Sequence, residues 1–297
     1  MKIPERLNQG DKLALISTAR KITLHELNPS IEIIESWGLK VVLGKNLFNQ
    51  ENQFSGTIQQ RKDDLQEALD NEEIKAILCV RGGYGTIQII DKIDFSNFQN
   101  QPKWIMGYSD ITVLHSHLNV LGFASIHSTM PINFTSNTTY SLLSLKNILF
   151  KSNNRIQYTS GKYNRHGFVE GELVGGNLSI IYSLLSSASD LETKNKILII
   201  EDVDEYFYHI DRMMLALKRA GKFKNIKALI VGGFTEIRDN EISFGKKVQQ
   251  IILDHIKGYR IPVCFDFPFG HLDDNRAVKL GVKTTLRITE NDVILEQ

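Results

Sequence analysis

Short apolar runs alternate with helix-like patterns through the first half of the chain. The apolar runs predict strands at residues 12–17, 39–43, 74–80 and 104–106. The helical periodicity predicts helices at residues 29–37, 57–70, 87–93 and 111–121. Strands that alternate with helices in this way imply right-handed crossovers and a parallel sheet. Functional side chains are then expected beyond the carboxyl ends of the strands.

The second half follows a change in composition. Asn, Thr, Ser and Lys dominate residues 135–165 around one predicted helix at 141–150, which indicates a connection between two domains. We therefore predict an N-terminal α/β domain at 1–150, a linker at 151–166 and a C-terminal α/β domain at 167–297. For the last of these the pattern predicts helices at 177–185, 208–220 and 245–256, strands at 196–200, 227–231 and 261–265, and antiparallel strands within 277–296.

The composition narrows the classes of function. The chain has 297 residues, of which 42% are hydrophobic and 23% charged, as in ordinary soluble proteins. Its formal net charge is +1 and it has no long basic run, so nothing indicates nucleic acid or an anionic membrane as a partner. We find no signal peptide and no segment of roughly 18 apolar residues that could span a membrane. These features predict a cytoplasmic protein, with Cys79 and Cys264 as buried free thiols.

One serine lies at a junction that suits a nucleophile. Ser109 follows the predicted strand at 104–106, within Gly107-Tyr108-Ser109-Asp110, and precedes the predicted helix at 111–121. On such a turn the hydroxyl projects into a cleft, and the helix N-terminus supplies free N–H groups. The Asp110 side chain would cap the helix or hold the turn. A serine before an aspartate is also an ordinary helix cap, so the motif alone leaves both interpretations open.

A serine hydroxyl needs an imidazole as base and a carboxylate that orients the imidazole. Glu201 follows the predicted strand at 196–200 and begins an acidic loop. That loop could also be a solvated turn or a metal site, although its spacing matches no calcium loop. His271 comes just after the predicted strand at 261–265 and next to Gly270, where a histidine could also simply cap a turn. Both side chains are expected at carboxyl ends of strands.

A glycine-rich segment, Arg81-Gly82-Gly83-Tyr84-Gly85, follows the predicted strand at 74–80. Glycines there allow tight turns and bring backbone N–H groups close to a ligand. A phosphate-binding loop is the main alternative, but the segment lacks Gly-Lys-Ser/Thr and the glycine spacing of dinucleotide-binding loops. Donors for an oxyanion fit the segment better.

A zinc site built from His115, His117 and His127 is a further alternative. Residues two apart, such as His115 and His117, do not share a helix face, which argues against common ligation. We therefore expect no metal and no other cofactor.

Taken together, these segments resemble the LD-carboxypeptidases, also called muramoyltetrapeptide carboxypeptidases, and the related microcin C immunity peptidases. The resemblance covers nearly the whole chain, and several blocks in family order are far more specific than any single one. The blocks are residues 81–85, 107–112 with Leu114-His115, 127–130, 175–178, 201–205 with 209–212, and Gly270-His271 with Asn275.

The resemblance implies a serine peptidase with the triad Ser109, Glu201 and His271. The backbone N–H groups of Gly83 and Asp110 would form the oxyanion hole. The implied fold is an N-terminal α/β domain resembling class I glutamine amidotransferases and a smaller C-terminal α/β domain, with the site between them. The family also implies a homodimer that needs no metal and acts in the cytoplasm on recycled peptidoglycan peptides.

We therefore expect the protein to remove the C-terminal D-alanine from L,D-linked murein tetrapeptides. The free carboxylate of such a substrate needs a cationic or N–H partner. Arg81 is the candidate, and pairing of Arg81 within the fold is the alternative. Cleavage of a peptide–nucleotide antibiotic such as microcin C, and a non-catalytic binding module on the same scaffold, remain open as alternative functions.

Two features of substrate recognition stay open in the sequence. Ser17-Thr18-Ala19-Arg20 stands where many relatives carry a Pro-containing Ala-Pro-Ser stretch, and this loop is expected to border the site. The residue before D-alanine, lysine or diaminopimelate, is not distinguished either.

Overall fold

The computed structural model describes residues 1–151 and 153–297 as two β-sheets with helices on their faces. The strands are β1 Lys12–Ile16, β2 Lys40–Leu43, β3 Ile74–Cys79, β4 Trp104–Gly107, β5 Ser125–His127, β6 Arg155–Thr159, β7 Gly167–Asn177, β8 Ile197–Val203, β9 Ala228–Thr235, β10 Val263–Cys264, β11 Val278–Leu280, β12 Lys283–Ile288 and β13 Asp292–Glu296. The α-helices are α1 Leu24–Ser36, α2 Ile58–Asp70, α3 Ser96–Asn100, α4 Thr112–Val120, α5 Thr139–Phe150, α6 Leu178–Ser183, α7 Phe207–Arg219 and α8 Val248–His255. Among the residues that the structure describes, no helix combines the length and the apolar character needed to cross a membrane.

The first sheet has the strand order β11-β5-β4-β3-β1-β2. Strands β1 to β5 are parallel, and antiparallel β11 forms one edge. Leu13 and Leu15 of β1 pack into the core on one face, whereas Ala14 and Ile16 pack into the core on the other. Because both faces are covered, the strands read as continuous apolar runs. The predicted α/β fold with a parallel sheet is confirmed.

The second sheet has the order β10-β9-β8-β7-β12-β13-β6. Strands β7 to β10 are parallel, and β12, β13 and β6 continue the sheet in antiparallel fashion. Leu198 and Ile200 of β8 pack against the core that contains residues of α6, α7 and α8. Ile197 and Ile199 face the opposite core. The strands predicted within 277–296 are present, although β11 joins the first sheet rather than the second.

The segment between β10 and β11 crosses from the second sheet to the first. β10 pairs with β9 in the second sheet, and β11 pairs with β5 in the first, where Val278 lies opposite His127. Residues 265–277 therefore connect the two sheets. His271 lies on this crossing segment.

The stretch 151–166, predicted as a linker, instead contains a strand of the second sheet. β6 pairs antiparallel with β13 along its whole length. It is an edge strand on which buried Ile156 lies between exposed polar neighbours. The outward polar side chains gave this stretch the composition of a linker. Ser152, within the same stretch, lies outside the described residues.

Two predicted helices also differ from the structure. α1 begins before the predicted start at 29, because Thr23 and Glu26 form a capping box that fixes the first turn. Pro29 lies inside this helix rather than at its start. The predicted helix at 87–93 is instead two short 3-10 turns, Thr86–Gln88 and Ile90–Lys92. The many β-branched residues there have weak helix propensity.

The two cysteines are buried in different sheets. Cys79 ends β3 and Cys264 ends β10, and both are free thiols, as predicted. Burial raises the pKa of each thiol to about 12, so both stay protonated at neutral pH. Both residues therefore act as small apolar groups of the core.

Thr23→Ala should lower the free energy of unfolding by about 1 kcal/mol, because α1 loses the oxygen that accepts from the Glu26 N–H. Thr23→Ser keeps that oxygen and should remain close to the unchanged protein. Urea unfolding followed by circular dichroism measures the difference. Equal unfolding midpoints for Thr23→Ala and the unchanged protein would show that the capping box adds no stability.

Candidate active site

Ser109 lies on a sharp turn directly after β4. Its φ of 62° is in the left-handed region, which residues other than glycine rarely adopt. Gly107 has a φ of 146°, and a Cβ there would lie 2.8 Å from Cγ1 of Ile111, so the turn requires glycine. Ser109 begins a short 3-10 turn that leads into α4. The hydroxyl is thus held half-buried at the carboxyl end of a central strand.

His271 connects Ser109 to Glu201. Its Nε2 lies 3.2 Å from Ser109 Oγ, and its Nδ1 lies 2.7 Å from Glu201 Oε2. The backbone N–H of His271 donates to the same carboxylate oxygen at 3.2 Å. In the tautomer whose Nδ1–H donates to the Glu201 carboxylate, Nε2 is left to accept from the serine hydroxyl. The structure brings together the three side chains that the sequence analysis named as a triad.

Close packing fixes the carboxylate of Glu201. This side chain is fully buried within β8. Gly270 has a φ of 97°, and a Cβ there would lie 2.4 Å from Glu201 Oε2. The Gly270 N–H donates to Oδ1 of Asn275 at 2.9 Å, which holds the loop. Only glycine at position 270 lets the chain pass close enough for His271 to meet Glu201.

The charges around His271 favour its protonated form. Burial is the largest single influence and opposes the charge, but attraction to Glu201, with smaller contributions from Asp202 and Glu236, outweighs it. The pKa of His271 is therefore raised above its usual value. Asp202 is also buried, and burial, followed by the neighbouring Glu201, raises the pKa of Asp202 to about 7. These charges stabilise the protonated imidazole of His271.

Two aromatic residues, to which the sequence analysis gave no role, lie at or near the imidazole of His271. The Tyr108 ring centroid lies 4.8 Å from that of His271, and the Tyr108 hydroxyl donates to Oδ1 of Asn133 at 3.1 Å. Phe269 stacks on His127 with ring centroids 3.6 Å apart. These contacts pack against the turn that carries Ser109 and the loop that carries His271. In the sequence, Tyr108 adjoins Ser109 and Phe269 lies two residues before His271, and this proximity was the only indication that they belong to the site.

The glycine loop passes directly against Ser109. A Cβ on Gly82 would lie 3.4 Å from Ser109 Oγ. Gly83 has a φ of 106°, which favours glycine. The loop backbone therefore approaches the hydroxyl with no side chain between them. The N–H groups of Gly83 and Asp110, predicted as oxyanion donors, belong to the two segments that meet at this serine, and their role remains a prediction.

The Asp110 side chain ties the serine turn to the glycine loop. Its buried carboxylate accepts from the N–H and the hydroxyl of Thr86, at 2.9 and 2.6 Å. Burial raises the pKa of Asp110, against the lowering effect of the Thr86 hydrogen bonds and of Arg61. Arg61 is itself buried and donates to the carbonyl oxygens of Thr18 and Gly85 at 2.9 and 3.0 Å. Asp110 thus holds the turn, while Arg61 was not identified from the sequence.

Arg81, the predicted partner of a substrate carboxylate, is engaged within the fold. Its Nη1 donates to the carbonyl oxygen of Lys21 at 3.0 Å and lies 4.0 Å from Glu26 Oε1. This is the pairing that the sequence analysis left open as the alternative. Arg81 also lines a small cavity together with Arg20, Lys21 and Gln53, so a role toward a substrate remains a prediction.

The three histidines of the zinc alternative have separate partners. His115 Nε2 lies 2.9 Å from the carbonyl oxygen of Gly107, and His117 Nδ1 lies 2.9 Å from Oγ of Ser189. His127 stacks on an aromatic ring, as described above. Across residues 1–151 and 153–297, no three His, Cys, Asp or Glu side chains are grouped as ligands of a metal ion would be.

Both halves of the chain match known protein families. The LD-carboxypeptidase N-terminal domain matches residues 13–128, and the LD-carboxypeptidase C-terminal domain matches residues 170–286. The probable murein peptide carboxypeptidase of Bacillus subtilis (strain 168) is 34% identical over 304 residues, which cover 99% of this chain and 94% of that protein.

Solved structures share the fold. The muramoyltetrapeptide carboxypeptidase from Oxalobacter formigenes superposes with a TM-score of 0.88 at 25% identity, over 96% of this chain and 98% of that one. The microcin C7 self immunity protein in complex with aspartyl sulfamoyl adenosine gives a TM-score of 0.88 at 22% identity, over 99% and 98%. At 22% identity, the similarity to the microcin C7 self immunity protein shows only that the two proteins share a fold. Both family domains match in order, and the Bacillus subtilis relative is 34% identical over 99% of this chain. The chain therefore belongs to the LD-carboxypeptidase family of peptidases.

Proposed function

We propose that this protein is a serine carboxypeptidase that removes the C-terminal D-alanine from L,D-linked murein tetrapeptides in peptidoglycan recycling. The observation that carries the proposal is the hydrogen-bonded chain from Ser109 through His271 to the buried carboxylate of Glu201. The substrate class follows from two similar proteins, a probable murein peptide carboxypeptidase and a muramoyltetrapeptide carboxypeptidase.

In the proposed mechanism Ser109 attacks the carbonyl carbon of the L-centre residue while Nε2 of His271 takes the hydroxyl proton. Glu201 holds the Nδ1–H and stabilises the imidazolium. The backbone N–H groups of Gly83 and Asp110 donate to the oxyanion. The imidazolium passes its proton to the departing amine of D-alanine, and the bond to that amine breaks. Water, deprotonated by the same imidazole, then attacks the acyl carbon, the bond from that carbon to Ser109 Oγ breaks, and the imidazolium returns its proton to Oγ as the tripeptide leaves.

The proposal extends to the location, assembly and cofactor requirement of the protein. The family resemblance implies a cytoplasmic homodimer, and we adopt both features for this chain. The triad supplies the nucleophile, the base and the orienting carboxylate from side chains, so the proposed reaction uses no metal. Light scattering on the purified protein would measure the assembly directly.

Ser109→Ala should fold normally and lose turnover by a factor on the order of 10⁴ or more, because the attacking oxygen is gone while the other groups remain. Release of tripeptide measures the loss, and circular dichroism verifies the fold. Ser136→Ala, at an exposed serine, is the matched control and should retain full activity. Wild-type turnover by Ser109→Ala would remove this residue from the mechanism.

The raised pKa of His271 predicts that kcat/KM falls as the pH drops. The neutral imidazole is the base, so activity should be lost as pH falls through a pKa above the ordinary value of about 6.5. Glu201→Gln removes the main attraction for the imidazolium. It should shift this acid limb to lower pH and also lower the maximal rate. The pH dependence of kcat/KM for both proteins is the measurement.

Asp202→Asn is the control for this pH profile, because Asp202 also titrates near neutral pH. Loss of its charge should shift the acid limb less than Glu201→Gln does, since Asp202 contributes less to the pKa of His271. An acid limb that follows Asp202 and ignores Glu201 would contradict the assignment of His271 as the titrating base.

Mass spectrometry of murein peptides tests the proposed substrate. The tetrapeptide should lose one D-alanine to give the tripeptide. The pentapeptide, whose terminal bond joins two D-residues, and a tetrapeptide ending in L-alanine should react far more slowly, because each presents the wrong configuration on one side of the bond. Cleavage of an aminoacyl sulfamoyl-adenylate with no action on the tetrapeptide would instead support an immunity-type peptidase.

A further inference from the structure

A basic cavity lies beside the glycine loop. Arg20, Lys21, Gln53 and Arg81 line this cavity, which has a volume of about 320 Å³. Three of these four described residues are cationic and none is acidic. A cavity of this size and charge suits a small anionic group such as a carboxylate.

Arg20 is the cavity residue that reaches the proposed oxyanion hole. A Cβ built on Gly83 would lie 2.6 Å from Cδ and 2.7 Å from Nε of Arg20, so the side chain crosses directly over Gly83. The backbone of Arg20 is fixed on both sides. Its N–H donates to the carbonyl oxygen of Gly82 at 3.3 Å, and the Ser17 hydroxyl donates to its carbonyl oxygen at 2.7 Å. The Arg20 side chain is therefore attached to a fixed backbone next to the glycine loop.

The donors of Arg20 are available to a ligand. The side chain is exposed, and its guanidinium has no hydrogen-bond or ion-pair partner in the part of the chain that the structure describes. Arg81, by contrast, donates to Lys21 and has Glu26 nearby. A free guanidinium can bind a carboxylate through two parallel N–H···O bonds.

The proposed substrate would place its terminal carboxylate near this cation. In a peptide that ends in D-alanine, three bonds separate the scissile carbonyl carbon from the carboxylate carbon, a span of about 4 Å. The carbonyl oxygen must point toward the Gly83 N–H when it becomes the oxyanion. The carboxylate then lies close enough to Gly83 for the long side chain of Arg20, which extends over Gly83, to reach it.

We propose that Arg20 binds the terminal carboxylate of the substrate and so restricts cleavage to the last residue. The inference rests on the proposed function, because it assumes a peptide with a free carboxyl end. It assigns the carboxylate to Arg20 in place of Arg81, the candidate from the sequence.

The test compares the tetrapeptide with its C-terminal amide. The wild-type protein should prefer the acid by about 10- to 150-fold in kcat/KM, the factor that corresponds to one charge-assisted hydrogen bond. Arg20→Ala should lose most of this preference by cutting the acid more slowly, with little change for the amide. Arg20→Lys should keep part of it, because the charge remains without the planar fork. Arg219→Ala, at an exposed arginine of α7 outside the cavity, controls for the loss of a surface charge.

Reaction of Ser109 with a fluorophosphonate separates the possible failures. This label has no carboxylate, so Arg20→Ala should react at the wild-type rate if its triad is intact. Normal labelling with an unchanged preference for the acid would overturn the role of Arg20 and leave the proposed function in place. Loss of the preference in Arg81→Ala but not in Arg20→Ala would also overturn it, as would greatly slowed labelling of Arg20→Ala. A wild-type protein that labels but cleaves neither peptide would defeat the proposed function itself.

Discussion

The arrangement of the site depends on the contact between His271 and the buried carboxylate of Glu201. Glu201 belongs to the second sheet, and Ser109 follows a strand of the first. His271 lies on the segment that leaves the second sheet and returns to the first as β11. A buried carboxylate without partners is costly, and the ring and backbone N–H groups of His271 both donate to it. The interaction that pins this crossing segment is therefore the same one that aligns the imidazole with the serine.

Buried polar groups, rather than apolar packing alone, hold the serine turn in place. A non-glycine residue in the left-handed region costs roughly 1–3 kcal/mol, and Ser109 adopts that conformation. Asp110 offsets this cost through two hydrogen bonds with Thr86, and Arg61 fastens the carbonyl oxygen of Gly85 just before it. Hydrogen bonds therefore tie the Ser109 turn to the glycine loop, and in the proposed mechanism they hold the backbone N–H donors in place.

The sequence predicts most strands, because buried strands leave long apolar runs. The grouping of Ser109, Glu201 and His271 is implied by the resemblance to the LD-carboxypeptidases, since these residues come from two different sheets and from the segment between them. The sequence does not predict features whose local composition differs from the part they play in the folded structure. β6 has the polar look of a linker because an edge strand exposes one face. Arg61 reads as a surface arginine of an amphipathic helix, and only the fold buries it. The position of Arg20 over Gly83 joins two loops far apart in the chain, which no local pattern contains.

A serine triad can cleave many amides, so restriction to the last residue must come from groups outside it. In the substrate of a carboxypeptidase, about 4 Å separates the terminal carboxylate carbon from the scissile carbonyl carbon, and two negative charges at that separation repel by about 4 kcal/mol at an effective dielectric constant of about 20. Backbone N–H groups alone would have to stabilise both. In our proposal, the guanidinium of Arg20 over the glycine loop neutralises the carboxylate and leaves the N–H groups of Gly83 and Asp110 for the oxyanion. The same cation would then both recognise the end of the peptide and lower the barrier to attack on the scissile carbonyl. A substrate without the terminal carboxylate would therefore gain little from this cation.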